Sequence, residues 1–201
     1  IKMASLNRGS TGMITAPTYK MLNDPVLEMF FLRCRELGIN CKRNKQESFC
    51  TLFSDTKILL RSFENEENLR GPNLAWAWLD EARLGSINAF NIILGRVREP
   101  RARYRQTLLT STPNGRDFLY EKFEAPETRI KSSLVFYGRT YDNPYMSDSF
   151  VEALRDAYDE EISKQEIEGL TVNVRGGQIY YAFNRNEHVK DFVLDKSLPV
   201  H

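Results

Sequence analysis

Residues 73–85, NLAWAWLDEARLG, carry the clearest chemistry-bearing feature of the chain. Six apolar residues, Leu74 to Leu79, run directly into two adjacent carboxylates, Asp80 and Glu81. A carboxylate is costly to bury unless something binds it. A second chemistry-bearing set follows about 30 residues on, where LLTSTPNG puts the hydroxyls of Thr110, Ser111 and Thr112 just before Pro113. Each set has a plainer reading. Acids at the start of a helix favour its dipole, and a Ser/Thr run before Pro and Gly is a common turn. Two such sets at neighbouring strand ends are harder to dismiss than either alone.

Cations that could meet an anionic ligand lie at Arg70, just before the apolar run, and at Arg61. A further cluster lies in REPRARYRQ, with Arg98, Arg101, Arg103 and Arg105. That cluster suits a nucleic-acid backbone, where each phosphate contact releases counterions. It suits an acidic partner or a solvated loop equally well. Other chemistries are poorly supplied. Only His188 and His201 are present, which argues against a His-rich metal site and a Ser-His-Asp triad. The three cysteines, Cys34, Cys41 and Cys50, are separated by seven and nine residues, which fits no zinc spacing. Their odd number forbids complete disulfide pairing within the chain, and reduced thiols are expected. Net charge is +1, so only local charge can inform about partners. No run of about 20 apolar residues is present to span a membrane.

These residues need elements to position them. At 201 residues, 41% apolar and 27% charged, the chain suits one α/β domain or one domain with an appendage. IKMASLNRG reads as the last turns of a helix. A strand at Met13 to Ala16 is stopped by Pro17. A helix is predicted over 23–38, capped by Asp24, with Pro25 in its first turn and Gly38 after its end. Residues 48–63 read as a β-hairpin around Ser54 and Asp55, and 74–79 as a strand. Ser86 opens a helix to about Val97. A strand is expected within 104–115, a short helix at RDFLYEKF and another strand at KSSLVFYG, 131–138. A capping box from Ser149 to Glu152 starts a helix that continues to about Gly169. One more strand is expected at GGQIYYAF, 176–183. Strands alternating with helices predict an α/β fold, a mainly parallel central sheet flanked by helices on both faces. The apolar runs 13–16, 74–79 and 107–109 suit buried central strands.

In open parallel sheets ligands bind at the carboxyl ends of the strands. An apolar strand ending in Asp-Glu there is the Walker B pattern. The first acid helps hold Mg²⁺ and the second polarises the water that attacks a γ-phosphate. Taken together, LRGPNLAWAWLDEA, LLTSTPNGRDFLYEKF and QEIEG…GGQIYYAF resemble the ATPase domain of bacteriophage large terminases, the DNA-packaging motors, over roughly 11–183. The resemblance implies a P-loop NTPase fold of the ASCE or RecA-like type with a small helical C-terminal subdomain. Its implied layout is an ATPase core at 1–140, a helical linker subdomain at 141–175, and a strand and linker toward a nuclease domain at 176–201. It implies ATP and Mg²⁺ as substrate and cofactor. Asp80 would be the metal-site acid and Glu81 the catalytic glutamate. Arg70 would be an arginine finger reaching a neighbouring subunit, and Thr110, Ser111 and Thr112 would form the coupling motif. Arg61 is a weaker candidate for phosphate contact.

The partners implied are double-stranded DNA, a homo-oligomeric ring (a pentamer in this family), the portal protein and the small terminase subunit. The implied location is the host cytoplasm, transiently docked on a procapsid. The family's G-x-x-x-x-G-K-[ST] loop does not occur in these 201 residues. It is expected upstream of Ile1, and residues 1–201 alone are expected to bind ATP poorly. Asp191 and Asp195 are expected to be linker residues, and no nuclease activity is assigned to the chain. Two other readings fit parts of the pattern. A superfamily 2-like helicase or translocase shares the Asp-Glu and TST-like motifs but needs a second RecA-like domain. A non-catalytic ATPase fragment acting as a binding module is favoured by the missing loop.

Overall fold

The computed structural model describes residues 1–172. Its centre is a six-stranded sheet in the order β2-β3-β4-β1-β5-β6. The strands are β1 (Thr11–Ala16), β2 (Cys41–Asn44), β3 (Phe49–Leu52), β4 (Thr56–Ser62), β5 (Trp76–Leu79) and β6 (Gln106–Leu109). The pairs β1–β4, β1–β5 and β5–β6 are parallel, while β2–β3 and β3–β4 are antiparallel. The expected mainly parallel sheet is present, extended on one side by a meander.

Alternation along the strands divides the core into two layers. On one face Ile14, Ala16, Ile58, Leu60 and Trp76 pack with Leu22, Val26, Leu27, Phe30 and Cys34. On the other, Met13, Leu59, Ala77 and Leu79 pack with Ala89, Phe90, Ile92 and Ile93 of helix α4 (Ile87–Arg96). β1 is therefore buried on both faces, which explains its unbroken apolar run. Ser86 caps α4 by accepting from the Ala89 amide at 2.9 Å.

The expected helix at 23–38 begins earlier. After helix α1 (Lys2–Leu6), Thr18 caps α2 (Tyr19–Met21), accepting from the Met21 amide at 3.1 Å. A π-turn over Leu22–Leu27 then joins α2 to α3 (Glu28–Glu36). Pro25 thus lies inside helical structure, within the π-turn. The missing proline N–H breaks the regular hydrogen-bond ladder there. Gly38 follows α3 with φ +65°, the left-handed residue expected past a helix end.

Other expectations are corrected. The basic CKRNK segment contributes the edge strand β2. Among the described strands β6 lies at the opposite edge of the sheet, and Leu108 is 51% exposed, so 107–109 is not buried as expected. Residues 131–138 pair with none of the described strands, and Leu134 and Phe136 point outward at 83% and 88% exposure. The short helix expected at RDFLYEKF is present, starting at Phe118 and wound as a π-turn over Tyr120–Glu124. The cap of α5 (Asp148–Ala157) is Ser147, two residues before the expected Ser149. The helix then breaks at Tyr158, and Asp159 caps a separate α6 (Glu160–Glu166). The strand expected at 176–183 and the linker acids Asp191 and Asp195 lie outside the described residues. No helix among the described residues is long and apolar enough to cross a membrane.

Candidate active site

Strands β5 and β6 lie side by side, with Leu79 in register with Leu109. Their carboxyl ends therefore bring Asp80 and Thr110 together. The Thr110 hydroxyl donates to Asp80 Oδ1 at 2.6 Å and accepts from Trp78 Nε1 at 2.9 Å. One hydroxyl thereby fixes an indole and a carboxylate at once. On the other side of β5, the Asp80 amide donates to the Thr15 carbonyl at 2.9 Å. The buried Thr15 hydroxyl donates to the Trp78 carbonyl at 3.1 Å. Asp80 is thus held by its sheet neighbours on both sides.

Glu81 takes a left-handed backbone, φ 47° and ψ 48°. For a residue with a side chain this costs about 1–2 kcal/mol. The surroundings over-determine the turn. The Ala82 amide donates to the Thr110 carbonyl at 3.1 Å, and the Arg83 amide to Ser111 Oγ at 3.2 Å. A bent, tied backbone directly after a metal-capable acid is the sort of stored strain found at functional sites. Burial pushes the Glu81 carboxyl above the ordinary carboxylate value, opposed by the charge of Arg83 and assisted by Asp80 and Glu166. A raised carboxyl is a better proton acceptor than an ordinary one.

Asp80 could hold a magnesium ion only as a lone protein ligand. Among the described residues no cation pairs with it, and no group of three or more His, Cys, Asp or Glu side chains could enclose a metal. Mg²⁺ commonly takes one or two carboxylates and fills its remaining positions with phosphate and water. A single half-buried carboxylate, oriented by a hydroxyl, fits that habit.

The arginines occupy other places. Arg70 follows a 3₁₀ turn over Glu66–Leu69, pairs with Glu67 at 3.1 Å and is half exposed. It lines a surface cavity of about 300 Å³ together with Asn88, Arg96 and Arg98. Glu66 fastens that turn to α4 through Ser86 and Asn88. Arg61 donates through Nη1 to the carbonyls of Ser48 and Leu60, both at 2.9 Å, and so braces the β3–β4 hairpin. Arg98 donates to Asn73 at 2.8 Å, Arg101 pairs with Glu99 at 3.2 Å, and Arg105 donates to the Glu99 carbonyl at 3.1 Å. Arg103 lies over the Tyr104 ring at 5.2 Å. Thr112 follows Ser111, whose hydroxyl donates to its carbonyl at 3.2 Å.

Three site residues escape sequence reasoning. Trp78, expected as pure core, is half-buried and spends its N–H on Thr110. A tryptophan on a strand that leads into polar residues needs an acceptor, and that requirement was the available signal. Thr15 and Arg83 gave no signal. Their importance depends on which strand neighbours which.

A profile of the family described as "Phage terminase large subunit" matches residues 18–171, a span that includes every residue of the site except Thr15. A search of curated protein sequences finds no match. Among solved structures, the large terminase of a thermophilic bacteriophage superposes with a TM-score of 0.71 at 19% identity. It covers 96% of this chain, and the chain spans 48% of that terminase. The same protein in complex with ADP gives 0.71 at 20% identity, with the same coverage. The large terminase ATPase domain of Thermus phage P74-26 gives 0.62 at 18% identity, covering 82% of this chain and 78% of that one. These likenesses establish the fold, a mostly parallel sheet flanked by helices like that of the terminase ATPase domains. With the family profile running over more than three-quarters of the sequence, the chain belongs to the phage terminase large subunit family.

Proposed function

We propose that this chain is the ATP-hydrolysing part of a motor that drives double-stranded DNA into a viral procapsid. The observation that carries the reading is the junction at the ends of β5 and β6. There Asp80, oriented by Thr110, stands beside the strained and partly desolvated Glu81. Family membership supports nucleotide as the ligand, as do the ADP-bound and ATP-γ-S-bound structures of the thermophilic-phage terminase.

In this reading Asp80 would hold Mg²⁺, and the ion would supply positive charge to offset the negative charge of the phosphoryl group. Glu81 accepts a hydrogen bond from the attacking water and orients it. Its raised proton affinity suits that task, and its tied backbone keeps the carboxylate aimed. Thr110 and Ser111 bond directly to the Asp80–Arg83 turn, so a shift at either strand end reaches the other. Thr112 stands next along the same segment. Arg70 would serve a neighbouring subunit's triphosphate in a ring, where a guanidinium stabilises transferring phosphoryl oxygens, and its half-exposed position on a cavity wall supports that role. Arg98, Arg101, Arg103 and Arg105 remain candidates for contact with DNA or a partner subunit. The ring, the portal and small-subunit contacts, and action in the host cytoplasm rest on family membership alone, as does the division into a core at 1–140 and a helical linker subdomain at 141–175.

The test is Glu81→Gln in the full-length gene product. Turnover is expected to fall by about 10²–10⁴-fold, the usual contribution of a positioned proton acceptor. Nucleotide affinity is expected to stay within about threefold of wild type, since an uncharged isostere leaves the binding contacts intact. Undiminished turnover in the variant would remove Glu81 from the chemistry, and a wild type that binds nucleotide without turning it over would favour a non-catalytic binding module.

A further inference from the structure

Arg83 sits between two carboxylates from distant parts of the chain. Its Nε lies 3.8 Å from Glu81 Oε2, and its Nη1 lies 3.6 Å from Glu166 Oε1 at the end of α6. The side chain is only 22% exposed. Arg83 Nε and Glu81 Oε2, the two atoms that face each other, are both buried and have no hydrogen-bond partner. The pair is therefore in ionic contact but stops short of a hydrogen bond. The Arg83 backbone, by contrast, is fixed to Ser111.

Held between the two, the guanidinium is in contact with both carboxylates and hydrogen-bonds to neither. Resting on the ATPase reading above, we propose that Arg83 is a positioning residue that reports the place of α6 to Glu81. With Glu166 close, the guanidinium is held back and Glu81 Oε2 stays available for the attacking water. When α6 withdraws, Arg83 closes onto Glu81, completes the missing hydrogen bond and occupies the oxygen that the water needs. Helix α6 is tied in turn to the preceding segment. The Thr140 hydroxyl donates to the Glu166 carbonyl at 3.1 Å, and the Thr140 amide to the Ile167 carbonyl at 2.9 Å. A movement of the 140–167 segment therefore acts on Glu166 directly.

The experiment is a double-mutant cycle in the full-length gene product, with Glu166→Gln, Arg83→Met and their combination. Steady-state hydrolysis and nucleotide affinity are measured for each. Glu166→Gln is expected to lower kcat by about 5-fold, a coupling typical of contacting residues, with nucleotide Kd unchanged. In the Arg83→Met background the same change is expected to have no effect, because the residue that transmits it is gone. Arg83→Lys, which keeps the charge, is expected to restore sensitivity to Glu166→Gln. Multiplicative effects of the two substitutions would overturn the proposal, as would a Glu166→Gln variant altered only in melting temperature.

A second readout needs no turnover. Amide exchange over 160–166 is expected to quicken in Arg83→Met, and unchanged exchange would overturn the link. If the wild-type protein does not hydrolyse ATP, the ATPase reading fails, and the exchange measurement alone decides whether Arg83 holds α6.

Discussion

Gly12 lies in the middle of β1, opposite Trp76 of β5. A Cβ added there would lie 2.1 Å from Trp76 Cε2 and 2.3 Å from Cζ2. Carbon atoms pack at about 3.5–4.0 Å, so the overlap is about 1.5 Å. The indole cannot easily swing away, being 4% exposed and enclosed by Ile14, Ile58 and neighbouring core residues. β1 cannot yield either, since it is paired along both edges. Overpacking a well-filled core costs about 1–3 kcal/mol, occasionally more. At roughly 2–4 °C per kcal/mol for a domain of this size, Gly12→Ala should lower the melting temperature by about 2–12 °C. Because β1 also supplies Thr15 to the Asp80 turn, turnover should fall with it.

The assay is thermal unfolding followed by tryptophan fluorescence, which reports Trp76 and Trp78 where they matter. The control is the double variant with Trp76→Leu. That substitution is costly by itself, but it frees the space above residue 12, so adding Gly12→Ala to it should cost under about 1 kcal/mol. A Gly12→Ala protein that melts within about 1 °C of wild type, or a penalty that persists beside Trp76→Leu, would refute the packing argument.

Glu81 yields a prediction about stability as well as rate. Its folded-state carboxyl titrates above the ordinary value of 4.5, chiefly because burial disfavours the charged form. Between those two values the native state binds more protons than the unfolded state, so stability falls as pH rises through the window. The penalty is fully present above the folded-state value, and Glu81→Gln should raise the melting temperature there, with the gain shrinking as pH drops toward the ordinary value. Thr110→Val removes the hydroxyl that orients Asp80 and accepts the Trp78 N–H, at an exposed site where each lost hydrogen bond should cost only about 0.5–1.5 kcal/mol. Turnover should nevertheless drop about 10–100-fold, the usual cost of losing a group that orients a metal ligand, with Thr110→Ser restoring most of it. Of the three thiols, burial raises Cys34 to about 11, and a hydrogen bond to Cys41 together with burial raises Cys50 further. The Cys50 thiol donates to Cys41 and lowers it, so a thiol reagent at about pH 7–8 should label Cys41 first and leave the buried pair slow in native protein.

The local features of the site were legible because they are one-dimensional. A buried strand needs a mostly apolar run, and charge can appear only where it leaves the core. Asp80, Glu81 and Thr110–Thr112 therefore announced themselves at two strand ends. Ser86 and Gly38 marked helix ends by hydrogen-bonding and dihedral needs that act within a few residues. Where several local signals competed, the sequence misled. Asp24 and Pro25 imitate a helix start, yet Thr18 caps earlier and the chain absorbs the proline in a π-turn. Residues 131–138 have strand composition, but a strand exists only with a partner, and none of the described strands pairs with them.

Strand order itself was decided by the tertiary structure. Setting β5 between β1 and β6 is what puts Thr15 and Thr110 on either side of Asp80 and draws Trp78 into the site. The same packing returns α6 to the strand ends, so that Glu166 meets the arginine two residues after the proposed catalytic acid. Which side chains a strand end can carry follows from the solvation of single residues along the chain. Which of them act together follows from the packing of distant segments, and composition and periodicity hold no record of that.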